Sequence, residues 1–250
     1  MAHEQESEAE LDLVELNAEL ASYSAEELIR WAVERFAPRL VVSSSFGAHS
    51  ALVLHMVHRV APNLPILWID TGYLFPETYR FAHELKERFR LNLQVYAPSL
   101  SAAYQEALYG RLWEQGEEGV RRYLQLNKLE PMQRALREHR AQAWIAGLRG
   151  DQTEHRRALR KLELQDGRYK IHPILDWDEG RVDEYLHRHS LPYHPLHGEG
   201  YRSIGDWHST LPTLADQDPR EGRILGQKRE CGLHLPISPE QDASLRSSAL

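Results

Sequence analysis

The feature that most constrains this chain is an alternation running from residue 40 to residue 148, in which short apolar runs trade places with longer segments of helical period. LVVSSSF (40–46), ILWID (66–70), LNLQVYA (91–97) and AWIAGL (143–148) read as strands. HSALVLHMVHRV (49–60) and PETYRFAHELKERF (76–89) read as helices, and further helical segments are expected at about 101–109, 117–126 and 131–139. A strand apolar on successive residues is buried on both faces, so helices must lie above and below it. The expectation is a doubly wound, mostly parallel α/β sheet. Ahead of it, residues 11–36 read as helical, with a capping box at Ser24 and Glu27, where side chain and backbone satisfy each other's orphan donors. LELQDGRYKIHPI (162–174) reads as a hairpin turning at Asp166-Gly167, and residues 178–189 as a last helix. Beyond Ser190 the periodicity fades among Pro, Gly, His and Asp, so residues 190–250 read mostly as loop.

Composition narrows the chemistry. A chain of 250 residues with 42% hydrophobic content can bury a substantial core. No apolar run approaches the roughly 20 residues that cross a bilayer, and MAHEQESEAE is unlike a secretory signal, so a cytoplasmic protein with no membrane partner is expected. The formal net charge of -7 disfavours nucleic acid as a partner. The chain has 1 cysteine, Cys231, in KRECGLHL. A lone cysteine makes no intrachain disulfide and no multi-cysteine metal site. Lys228, Arg229 and His234 surround it. Cations favour the thiolate and attract anionic electrophiles, so a nucleophile fits this setting better than a packing residue.

Three strand ends carry polar loops. SSSFGAHS (43–50) leads into a helix and suits either a phosphate or a plain serine cap; it matches neither a Walker A loop nor G-x-G-x-x-G. IDTGYLFPET (69–78) offers Asp70, Thr71 and Gly72, and could equally be an ordinary βα loop with Pro76 in the first helical turn. GLRGDQTEHRRALRK (147–161) gathers Arg149, Arg156, Arg157, Arg160 and Lys161, which form either an anion clamp or a solvated face. The histidines between His187 and His208, including His194-x-x-His197, lack the spacing of known zinc motifs, so no metal is expected; His55 and His58 are expected to pack or solvate.

Taken in order, SSSFG, DTGYLFPETYRF, YGRLWEQG, NKLEPMQRAL, AWIAGLR, HPILDWD, LPYHPLHGEGYRSIGDWHST and KRECGLH resemble the phosphoadenylyl-sulfate reductase family over about residues 25–235. The resemblance implies the adenine-nucleotide α-hydrolase-like (PP-loop) fold. It divides the chain into an N-terminal helical segment (1–36), a nucleotide-binding domain (37–210) and a flexible segment carrying the nucleophile (211–250). It implies substrate binding by Ser44, Ser45, Gly47, Thr71, Gly72, Lys128, Arg149, Arg156, Tyr201, Arg223 and His234, with Cys231 attacking 3'-phosphoadenylyl sulfate. Gly150 departs from the pattern, since relatives usually carry a second arginine there. Relatives with a [4Fe–4S] cluster have cysteines where this chain has Tyr123, Leu124, Asp206 and Ser209, so the resemblance implies a cluster-free enzyme without a resident cofactor. It implies electrons from thioredoxin or glutaredoxin, and a homodimer. The alternatives are a reductase of adenylyl sulfate, an ATP pyrophosphatase of the same fold, and a nucleotide-binding protein without chemistry.

Overall fold

A computed structural model describes residues 11–214 and 221–223. The order is α1 (Leu13–Leu20), α2 (Ala25–Phe36), β1 (Leu40–Ser43), α3 (Ser50–Val60), β2 (Ile66–Ile69), α4 (Pro76–Phe89), β3 (Leu93–Tyr96) and α5 (Ala102–Tyr109). Then follow α6 (Gly116–Leu124), α7 (Glu130–Glu138), β4 (Ala143–Ala146), α8 (Glu154–Arg157), β5 (Leu162–Gln165), β6 (Arg168–Ile171) and α9 (Glu179–Arg188). The strands form one sheet in the order β3-β2-β1-β4-β6-β5, parallel throughout except for the β5–β6 pair.

The two-residue period of a strand explains why both faces are covered. Leu40, Val42, Ile66, Ala143 and Ile145 point into the larger core, where Leu28 and Ile29 of α2, Leu52 of α3, Phe81 of α4 and Val182 of α9 pack. Val41, Leu67, Trp144 and Ala146 point the other way, onto Met132, Ala135 and Leu136 of α7. The sheet is doubly wound, as expected.

Four details beyond the sequence reading have physical causes. The helical reading of 11–36 holds, and it resolves into two helices where Ser24 caps α2 with the full capping box and ends any continuation from α1. The helices expected at 117–126 and 131–139 are joined by a π-helical turn, Gln125–Leu129. Pro131 lacks an N–H and its ring crowds the carbonyl four residues back in a regular helix; a widened turn just ahead relieves both. The strands are shorter than their apolar runs, and the hairpin pairs 162–165 with 168–171 through Asp166 and Gly167, both at positive φ. Residues 190–214 hold two short 3-10 turns, and His194, Leu196, Ile204, Asp206, Ser209 and Thr210 are buried, so this is a packed loop.

Residues 221–223 return to the domain: Leu211 N donates to Gly222 O at 2.8 Å, and Thr210 pairs with Arg223. The segment expected to be flexible lies otherwise outside the described residues, as do Cys231 and His234. Among the described residues no helix is long and apolar enough to cross a membrane.

Candidate active site

The chain leaves β1 toward β2 on one side and later returns to add β4 on the other, so the loops after β1 and β4 part at that point. In open α/β sheets ligands occupy such a crevice. A cavity of about 240 Å³ lies here, lined by Ser44, Ser45, Gly47, Thr71, Lys128, Arg149, Arg156 and Arg223 among others. These are eight of the residues singled out from sequence. Gly72 and Tyr201 do not line it. Gly72 sits at φ 76 and donates its N–H to Asp70 Oδ1 at 2.9 Å, so it shapes the turn. Tyr201 packs edge-on against Phe75 beneath the loop.

The loop after β1 is held from below. Phe46 has φ 49, a conformation non-glycine residues seldom adopt, and its fully buried ring packs on Trp68 with centroids 5.0 Å apart. Ser44 Oγ accepts from Phe46 N at 3.2 Å. No side chain caps α3, which removes the plain-cap reading of this serine cluster.

Opposite stands the π turn. Asn127 is fully buried and exchanges two amide hydrogen bonds with Gln105 of α5, at 2.9 and 3.0 Å. The neighbouring Lys128 is thereby aimed at Asp206, Nζ to Oδ2 at 2.5 Å. Asp206 is wholly buried and accepts from Thr71 Oγ1 at 2.5 Å through its other oxygen. Burial alone would raise this carboxyl, but the Lys128 charge and hydrogen bond, with Thr71 and Arg223, hold it below the usual carboxylate range. His208, stacked on Trp113 at 4.0 Å, is pushed down to about 4 by burial first and then by Lys128 and Arg223.

The third wall is cationic. Arg149 is 4% exposed; Nη2 donates to Glu179 Oε2 at 2.5 Å, Nε faces Asp151 Oδ1 at 3.4 Å without forming a hydrogen bond, and Nη1 has no hydrogen-bond partner. Arg156 extends from α8, which Thr153 caps, and bonds Gln152. Arg223 donates to Ile204 O at 3.3 Å, and its buried Nε also lacks a partner. Its guanidinium lies over Gly205, where a Cβ would come within 2.3 Å of Nη2 and would have to displace it. At Gly150 a Cβ would meet Leu175 O at 3.0 Å, a tight fit beside the Arg149 wall. Buried guanidinium nitrogens without acceptors fit oxyanions, which bind such groups in bidentate fashion.

Asp206, Arg202 and Gln152 also line the cavity and were missed as site residues by the sequence reading. Nothing in local spacing marks Asp206, because its partner Thr71 is 135 residues away. The histidine-dense stretch separates: His194 is buried and bonds Thr78 at 3.0 Å, while His197 approaches His49. His55 hydrogen-bonds Tyr185 at 2.9 Å and His58 stacks on Phe89, so both pack.

Residues 39–212 match the family profile described as the phosphoadenosine phosphosulfate reductase domain. A phosphoadenosine 5'-phosphosulfate reductase from Synechocystis sp. is 54% identical over 242 residues, covering 96% of this chain and 97% of that protein. One from Escherichia coli is 50% identical, covering 90% and 92%. The crystal structure of a phosphoadenylyl-sulfate reductase from Candida auris, in a phosphate complex, superposes with TM-score 0.71 at 33% identity, covering 79% of this chain and 95% of that one. An FMN adenylyltransferase from Candida glabrata shares the fold alone, at TM-score 0.53 and 17% identity.

Proposed function

The chain belongs to the phosphoadenosine phosphosulfate reductase family and is an oxidoreductase acting on sulfur in sulfate assimilation; from that premise we propose that it reduces 3'-phosphoadenylyl sulfate to sulfite through Cys231. The observation that carries the reading is the buried Nη1 of Arg149 and Nε of Arg223, neither of which makes a hydrogen bond, beside Lys128 at the switch point of the sheet. That wall complements a phosphosulfate, and the Candida auris relative was solved with phosphate.

The Cys231 thiolate attacks the sulfonate sulfur. An S–S bond forms, the bridging S–O bond breaks, and its electron pair leaves on adenosine 3',5'-bisphosphate. Lys128, Arg149, Arg156 and Arg223 offset the charge developing on the leaving phosphate, while Ser44, Ser45, Gly47 and Thr71 shape the nucleotide side, Gly72 sets the turn that follows Thr71, Tyr201 supports the loop from outside the cavity lining and His234 completes the substrate set. One thiol cannot supply both electrons for sulfite release. A thiolate of an external dithiol, thioredoxin or glutaredoxin, therefore attacks Cys231, sulfite departs with the bonding pair, and the second thiol closes a disulfide that frees Cys231. No cluster or other cofactor enters these steps. A cytoplasmic homodimer accords with this reading.

Sulfite release from 3'-phosphoadenylyl sulfate and from adenylyl sulfate, with and without reduced thioredoxin, tests the assignment. The expected result is thioredoxin-dependent sulfite with strong preference for the 3'-phosphorylated nucleotide. Mass spectrometry of enzyme and substrate mixed without reductant should find a sulfo group on Cys231; a sulfite-producing enzyme that never carries it would overturn the covalent route.

A further inference from the structure

Beside the Arg149 wall, three side chains from three separate parts of the chain converge: His49 ahead of α3, Glu179 at the start of α9, and His197 in the 3-10 turn Pro195–Glu199. One ligand atom of each lies within 4.8 Å of the other two. His49 Nε2 faces Glu179 Oε1 at 3.4 Å, yet this buried nitrogen makes no hydrogen bond. A polar atom sealed from water without a partner calls for an explanation.

We propose that His49, Glu179 and His197 form a binding site for a single divalent ion of the zinc class. Two imidazoles and one carboxylate are a borderline-soft donor set suited to Zn²⁺. With metal–ligand distances of about 2.0–2.2 Å, donor atoms around a tetrahedral ion stand roughly 3.3–3.5 Å apart. The His49–Glu179 separation already has that length. No separation in the trio exceeds 4.8 Å, so any closure needed is at most about 1.5 Å, within reach of a partly exposed His197 on a short turn. The surroundings resemble a built shell: Arg149 fixes the other oxygen of Glu179 at 2.5 Å, and Tyr193 stacks on His197 with ring centroids 4.9 Å apart. Hydrogen-bonded carboxylate ligands of this kind are oriented by their outer partners. A fourth position stays open for water or an incoming anion. Because Glu179 serves both the ion and Arg149, ion binding and anion binding at Arg149 are coupled, each changing the other by the same factor.

The test uses the full chain carrying Cys231→Ser, which removes the thiol as a competing zinc ligand, stripped with EDTA and titrated with Zn²⁺ against a chromophoric chelator. The expected result is one ion per chain, bound at least about tenfold more weakly in His49→Gln and in His197→Ala, since even outer-shell changes cost that much. Co²⁺ should give the visible bands of a four-coordinate site without a thiolate charge-transfer band, and both variants should lose them. Binding that is absent, or equally tight in a His49→Gln/His197→Ala double variant, overturns the site. Circular dichroism checks folding; if His49→Gln unfolds, His197→Ala, on its partly exposed turn, decides alone. No substrate is present, so the outcome is independent of whether the reductase reading holds.

Discussion

Lys128 and Arg149 are both nearly buried cations on the wall of one cavity, and the chain treats them differently. Lys128 has its counter-ion inside the fold, a wholly buried carboxylate at 2.5 Å that Thr71 also holds. Arg149 has Nη2 tied to a part-exposed glutamate and Nε 3.4 Å from Asp151 Oδ1, and leaves Nη1 without an acceptor. A buried charge that loses its partner is destabilising, and a buried donor left open is a smaller cost that an arriving acceptor would offset. Removing the first arrangement should therefore cost stability as well as any role in binding, whereas under the proposed function removing the second should show mainly in binding.

The largest test of that contrast is Asp206→Ala, expected to destabilise by about 3–5 kcal/mol in denaturant unfolding because it strands the Lys128 charge. A Lys128→Met/Asp206→Leu double substitution should recover most of it; no recovery would mean the loss is not electrostatic. Next is Arg149→Ala, expected to lower kcat/KM for the phosphosulfate roughly 10²- to 10³-fold, with unfolding free energy changed by less than about 1.5 kcal/mol. A stability loss equal to that of Asp206→Ala would erase the distinction. Gly205→Ala comes third: the added methyl must displace the Arg223 guanidinium, costing about 1–3 kcal/mol and raising KM. The smallest effect is in pH dependence. Since the folded-state pKa of Asp206 is depressed, its contribution is complete above the unfolded value near 3.9 and is lost as pH falls through the lower folded value. Acid unfolding of Asp206→Asn should therefore be less steep below about pH 4 than that of Arg149→Ala, which keeps the carboxylate.

Local periodicity carried the sheet. Leu40, Val41 and Val42 are all apolar because the strand is covered twice, and that is visible without coordinates. The capping box at Ser24 and the turn at Asp166-Gly167 were equally legible, being contained in a few consecutive residues. The π turn was not, since Pro131 signals a break in sequence, yet the helix passes through it by widening. Nor was the role of Asp206, whose environment is assembled from distant segments. Composition ranked the histidines by spacing along the chain, so it paired His194 with His197; folding instead sends His194 to Thr78 and His197 to His49.

Arg223 fixes one more quantity. It is anchored over Gly205 and paired with Thr210, and Cys231 follows eight residues later in the chain. Eight residues span at most about 29 Å. Connectivity alone thus keeps the Cys231 backbone within that distance of Arg223, and a tether of such length corresponds to an effective concentration of millimolar order. Under the proposed function, a bound phosphosulfate would face that local concentration of thiol however dilute the enzyme, and the external dithiol of that proposal would find its target within the same radius.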